Sequence, residues 1–257
     1  MKVAYYSDLH LEMQSWTPPK TDADVIALVG DIHIGDKGID WALRHFPDKP
    51  VLYIPGNHEY YCGINMQLLN ESLASKAKGT NVHVLIDDAV IINGVNFIGT
   101  TLWTDFNLNG DIKLSMAMAL GMIRDYRLIT LRDPSMVNKR FTPSDAALLH
   151  ANAVQFIESQ LRSHSNNVLL SHFGIHPTCS EPQYQNDTLQ PAFVSDISGL
   201  LARYRESLKA VIYGHTHYNL DFLIGSMPAY TNQRGYAPFD LVPGFLPNKT
   251  LEIEDEL

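Results

Sequence analysis

Five short apolar runs in this chain each stop at a side chain able to bind a metal ion, and this repetition constrains the fold more than any single motif does. The run over 25–29 is Val-Ile-Ala-Leu-Val, followed by Gly30 and Asp31. Five apolar residues with β-branched members, bounded by turn formers, read as a strand buried on both faces. Gly30 permits a tight bend where the strand ends, so Asp31 projects from its C-terminal edge. The same grammar recurs at 3–7 before Asp8-Leu9-His10, and at 51–54 before Pro55-Gly56-Asn57-His58-Glu59. It returns at 168–171 before His172, and at 210–213 before Gly214-His215-Thr216-His217.

The intervening segments set the fold class. Ile39, Leu43 and Phe46 lie at helical spacing, and Pro47 ends that helix. Strand, helix, strand over 25–54 is a βαβ unit, which implies a parallel pair. After a helix over 66–76 come strands at 82–85, 90–92 and 95–98, the last two joined by Asn93-Gly94, a strong hairpin turn. Hairpins among parallel units predict mixed sheets. The segment 100–106 is expected to lead away from the core, with a helix following over 112–123. Thr142-Pro143-Ser144-Asp145 starts a helix that runs to about 163 and buries Ala147, Val154, Ile157 and Leu161. His150 and His164 are expected to be solvated on it. A loop rich in Pro, Asn, Gln and Ser spans 177–191, beside the fourth run. A helix over 197–204, a strand at 222–224, a final edge strand and an acidic tail at 252–257 complete the chain. With no internal repeat, low-complexity tract or linker, residues 1–257 read as one α/β domain carrying a partly helical insertion around 104–165.

Composition excludes some functions. A net charge of −9 over 257 residues argues against a stable nucleic-acid complex, which needs a basic face. No run approaches a membrane span. Two cysteines far apart, Cys62 and Cys179, and an N-terminus lacking the apolar core of a signal peptide point to a cytoplasmic setting without a disulfide.

The strand-end residues carry the chemistry. Alternation along an extended segment places Asp8 and His10 on one side, and does the same for His215 and His217. One strand end then offers both oxygen and nitrogen to an ion. Asn57 adds a neutral amide oxygen suited to a hard cation. Its neighbour His58 points elsewhere and is free to act as acid or base. His33, two residues past Asp31, either faces the same site or has a bland solvent role. Arg124, Arg127 and Arg132 either present cations to a substrate phosphate or form surface ion pairs.

Taken in order, Asp-x-His, Gly-Asp, Gly-Asn-His-Glu, His and Gly-His-x-His resemble the calcineurin-like metallophosphoesterase superfamily, over residues 8–217. That resemblance implies a four-layer αββα sandwich of two mixed β-sheets flanked by helices. It implies that Asp8, His10 and His217 bind one metal, that Asn57, His172 and His215 bind another, and that Asp31 bridges them. The implied reaction is hydrolysis of phosphomonoesters or phosphodiesters by a hydroxide shared between the metals, with His58 as the catalytic acid. Two divalent ions are the implied cofactors, with Mn²⁺ first and Fe, Zn²⁺ or Co²⁺ also suited to mixed nitrogen and oxygen ligands. The partner is then a small phosphorylated substrate. Arg127, Arg234 and Tyr236 are its candidate contacts, the last two in a segment, Asn232-Gln233-Arg234-Gly235-Tyr236, similar to those of bacterial and phage members. A nuclease of the same superfamily and an inactive metal-binding scaffold are the alternatives. Two positions depart from the family's pattern: Ile-His-Ile-Gly after Asp31 lacks an aspartate found in many members, and Phe173 stands where relatives often have a second histidine.

Overall fold

The five apolar runs become strands that are buried from end to end. A computed structural model describes residues 1–132 and 137–253. From the N-terminus it contains β1 (Lys2–Tyr6), β2 (Val25–Val29), α1 (Lys37–His45), β3 (Val51–Ile54), α2 (Met66–Ala77), β4 (Val82–Val84), β5 (Asp88–Ile92) and β6 (Val95–Thr100). Next come α3 (Ile112–Met122), α4 (Asp125–Leu128), β7 (Thr130–Arg132), β8 (Asn138–Arg140), α5 (Pro143–Ser163) and β9 (Asn167–Ser171). Then follow α6 (Ser198–Arg203), β10 (Leu208–Tyr213), β11 (Phe222–Ile224), β12 (Met227–Thr231), β13 (Gly235–Tyr236), β14 (Asp240–Leu241) and β15 (Thr250–Glu252). The expected acidic tail therefore closes β15 with Glu252, and residues 254–257 lie outside the described ones.

One sheet has the order β15-β1-β2-β3-β4, parallel from β1 to β4, with β15 antiparallel at its edge. The other has the order β11-β12-β10-β9-β6-β5. Its four central strands are parallel, and antiparallel hairpins close both edges. The period-2 alternation of each strand then sorts its side chains. Val3, Tyr5, Val25, Ala27, Val29, Leu52 and Ile54 of the first sheet meet Phe97, Val168, Leu170, Ala210 and Ile212 of the second in one cluster. The alternate residues Ala4, Tyr6, Ile26 and Leu28 pack outward, in the cluster that includes Ile39, Leu69, Leu73 and Ile157 of the helices. Two mixed sheets lie face to face with helices outside, the αββα sandwich.

Two details differ from the sequence reading. The buried stripe of α5 is Ala146, His150, Ala153, Ile157 and Leu161, so Ala147 and Val154 are only half-buried. His150 falls on this stripe and is buried, with Nδ1 unpartnered, in place of the solvated position expected. The segment after β6 does not leave the core either. Thr101, Leu102, Trp103, Thr104 and Phe106 are buried, because left-handed turns at Leu102, Trp103 and Phe106 fold the chain back under the strand ends. Among the described residues, no helix is long and apolar enough to cross a membrane.

Candidate metal centre

Parallel strands within each sheet end on the same side, and the C-terminal ends of β1, β2, β3, β9 and β10 converge on one edge of the sandwich. The loops that follow are not extended. Asp8, His10, Asp31, His215 and His217 all adopt positive φ, from 43° to 71°. Left-handed backbone at non-glycine residues is strained, by about 1–3 kcal/mol each, and persists where surrounding contacts enforce it. Strand alternation is therefore not what brings Asp8 beside His10, or His215 beside His217. Tight turns do. Glycines make room for them: a Cβ on Gly30 would lie 2.1 Å from His172 Nδ1, and one on Gly56 would lie 2.1 Å from Asp31 Oδ1.

A first group gathers Asp8, His10 and His217. Asp8 Oδ2 accepts hydrogen bonds from Ser7 Oγ at 2.6 Å and from the His215 amide at 3.0 Å. Its Oδ1 is buried without a hydrogen bond and lies 3.4 Å from His217 Nε2. His10 Nδ1 lies 3.1 Å from Glu12 Oε1, and its Nε2 lies 3.1 Å from His217 Nε2. Burial opposes ionisation of Glu12, but hydrogen bonds from His10 and His58 outweigh it and hold that carboxyl at about 2. An ionised Glu12 only accepts, so His10 carries its proton on Nδ1 and turns the Nε2 lone pair inward.

A second group gathers Asp31, His172 and His215. His172 Nδ1 donates to the Val29 carbonyl at 3.0 Å, which leaves Nε2 facing Asn57 Oδ1 at 3.2 Å and Asp31 Oδ1 at 3.4 Å. The Asn57 amide is oriented by its Nδ2, which donates to Asp125 Oδ1 at 2.9 Å and to Tyr61 OH at 3.1 Å. His215 lies between two stacked rings, Phe173 at 3.9 Å and Phe193 at 5.2 Å between centroids. Asp31 stands between the two groups. Its Oδ1 faces His172, whereas Oδ2 lies 3.8 Å from His10 Nε2 and 3.9 Å from His58 Nε2.

These residues suit a divalent cation. Burial lowers the His10 and His215 imidazoles and brings His172 down to about 4, so all three are neutral, the form that binds metal. Burial, then the charges of Glu59 and Asp8, pushes the Asp31 carboxyl well above the usual carboxylate range. His172 Nε2, Asn57 Oδ1 and Asp31 Oδ1 crowd together at 3.2–3.4 Å, the raised Asp31 carboxyl shows that the site resists a second negative charge without a cation, and Asp8 Oδ1 has no donor. A positive ion among them removes this conflict, and the mixture of carboxylate, amide and imidazole donors is one that borderline and hard divalent metals accept.

A sequence profile of calcineurin-like phosphoesterases matches residues 1–219. The chain belongs to that family. An uncharacterised protein of Acanthamoeba polyphaga mimivirus is 27% identical over 266 residues, covering 91% of this chain and 90% of the viral one. The phosphopantetheinyl hydrolase of Mycobacterium tuberculosis has the same fold, with a TM-score of 0.69 at 17% identity over 93% of each chain. Membership implies bound divalent metal ions, and the Asp and His clusters at the strand ends are where this calcineurin-like phosphoesterase could hold them.

The other candidates divide. His58 lies at the rim of the centre: its amide donates to Asp31 Oδ1 at 2.9 Å, Nδ1 is 3.4 Å from Glu12 Oε1, and Nε2 is 3.2 Å from Tyr236 OH. Arg127 and Tyr236 line the adjoining cleft. Arg234 does not, because its guanidinium donates to the Leu9 and Gln14 carbonyls and to Gln14 Oε1, bracing the first ligand loop from behind. His33 lines a different hollow, with Lys37 and Trp41.

Four residues that the motifs left without a role hold the loops together. Glu59, fully buried, accepts from the amides of Asp31, Ile32 and Gly56 and from Tyr53 OH, at 2.7–3.0 Å. Gln233 accepts from the His217 amide at 2.5 Å, and its Nε2 reaches Thr216, Tyr218 and Thr231. Glu12 and Asp125 back the two groups as described. The signal that could have found Glu12 and Glu59 is their position beside the Asp-x-His motif and within Gly-Asn-His-Glu. Asp125 and Gln233 lie in segments similar to those of family members, but their contacts with Asn57 and with the His217 amide join separate segments and are not legible locally.

Proposed function

We propose that this chain hydrolyses phosphate esters at a centre for two divalent cations. Asp8, His10 and His217 hold one, Asn57, His172 and His215 hold the other, and Asp31 bridges them. The observation that carries this reading is the placement of Asp31, whose two oxygens face different ligand groups, at 3.4 Å from His172 and 3.8 Å from His10. Bound divalent cations supply a water made acidic enough to attack at neutral pH, and they offset charge on the phosphoryl oxygens. The chain's own residues do the rest. Asp31 and Asp8 bring anionic charge to a pocket otherwise built of neutral donors. His58 Nε2 delivers a proton to the leaving oxygen, with Glu12 holding Nδ1 so that the ring keeps its heading. Tyr236 and Arg127 contact the substrate beside it. Mn²⁺ is the first metal to try, with Fe, Zn²⁺ and Co²⁺ after it. Two free thiols and no disulfide among the described residues suit a cytoplasmic setting.

The experiment is turnover of bis-p-nitrophenyl and p-nitrophenyl phosphate with each metal, alongside cation content by elemental analysis. Hydrolysis by the Mn²⁺-loaded protein, lost on chelation and restored by metal, is the expected result. No turnover with any divalent ion, despite two bound per chain, overturns the reading.

A further inference from the structure

Next to the metal centre lies a second cleft of about 800 Å³, a volume suited to a substrate far larger than one phosphate. His58, Tyr61, Arg124 and Tyr236 line both spaces, so the two are continuous. Arg124 immediately precedes α4 and Arg127 lies within it. Three residues apart, they sit on one face of the turn. Both are exposed, and among the described residues neither forms an ion pair; Arg127 Nη2 donates only to the Met122 carbonyl, at 3.4 Å. The surface ion pairs that arginines beside an aspartate suggest are absent because Asp125 turns inward to Asn57 and Tyr61. That contact fixes the arginine pair relative to the second ligand group. The rest of the lining is largely apolar: Met13, Ile34, Leu128 and Phe239, the last of these 84% exposed. Its two carboxylates are Glu12, already engaged by His10 and His58, and Asp240.

We propose that the arginine pair is a subsite for a second phosphate, so that the physiological substrate is a phosphoester bearing another phosphate on an organic body that rests against Met13, Leu128 and Phe239. Guanidinium groups present planar forks of donors matched to phosphate oxygens. In a chain of net charge −9, two unpaired guanidiniums in one continuous cleft create local attraction for an anion that the rest of the surface repels. The inference rests on the hydrolytic reading for where the scissile phosphate sits, but not for the arginine subsite itself.

Titration calorimetry of the metal-loaded protein with methylphosphonate and with methylenebisphosphonate tests it, since neither compound contains an ester to cleave. The expected result is that the bisphosphonate binds at least roughly tenfold more tightly, and that the ratio falls to about one in R124A/R127A. Chelation of free metal is the same for both proteins and cancels in that comparison. Should the double variant fold poorly, R127Q alone, at an exposed position, is expected to reduce the ratio by about half an order of magnitude. Equal affinities in the unmodified protein, or a ratio that survives the loss of both arginines, overturns the subsite. If the ratio behaves as expected while bis-p-nitrophenyl phosphate is not turned over, the subsite stands and the esterase reading alone falls.

Discussion

The two ligand groups on either side of Asp31 are built on opposite physical plans. The first is anionic and braced by charge. Asp8 lies within it, Glu12 backs His10, and its outer histidine is partly open, His217 having a side chain 19% exposed. The second has neutral ligands, braced by ring packing and by hydrogen bonds, one of them from Asn57 to Asp125. Asn57 supplies an uncharged oxygen, His172 is fully buried against the Val29 carbonyl, and His215 is clamped between Phe173 and Phe193. Carboxylate-backed imidazoles are more basic ligands, and anionic donors attract a cation more strongly than amides do. The first group should therefore fill at lower metal concentration than the second. On the proposed reading, cation affinity would be set by charge on one side and by shape on the other, with Asp31 common to both.

The largest effect expected is that of Asp31→Asn, which removes the element both groups share. Metal analysis should then find neither cation retained, with turnover down by about 10⁴-fold or more, since hydroxide is no longer available near neutral pH. Retention of one cation would show that the groups are independent. His58→Ala should come next: both cations stay, while kcat for poor leaving groups drops by roughly 10²–10⁴-fold and that for p-nitrophenyl esters drops less. Loss of metal would make His58 a ligand and unbalance the comparison.

A matched pair of substitutions then sharpens it. Glu12→Gln should weaken only the tighter of the two binding events seen by calorimetry, and Asp125→Asn only the weaker one, each by roughly 10–100-fold. If Glu12→Gln shifts the weaker event instead, the order of filling proposed here is reversed. The smallest effect is expected from His33→Ala, which touches neither group. Metal content should be unchanged and stability should move by no more than about 0.5 kcal/mol in a denaturant titration.

Phe173 shows how a departure from the family's pattern becomes readable only in three dimensions. As a sequence position it is a missing histidine. In the fold it is one of the two rings against His215, and on its other side it meets Trp103 at 5.3 Å, in the segment that was expected to leave the core.

The sequence alone determined the five strands that carry the site and what stands at their ends, because strand burial, turn residues and metal-competent side chains are local properties that a short window records; β7, β8 and β12 were not legible in it. It also determined the mixed parallel and antiparallel pairing, through the βαβ unit and the Asn93-Gly94 hairpin. Tertiary structure alone decided which polar residues support the centre. Arg127 and Arg234 look alike as chemistry, yet one opens into the cleft and the other braces a backbone loop. His10 and His33 each lie two residues past an aspartate, yet only His10 turns inward. The difference arises from contacts between segments as far apart as Ser7 and Gln233, and from left-handed turns that only those contacts can enforce.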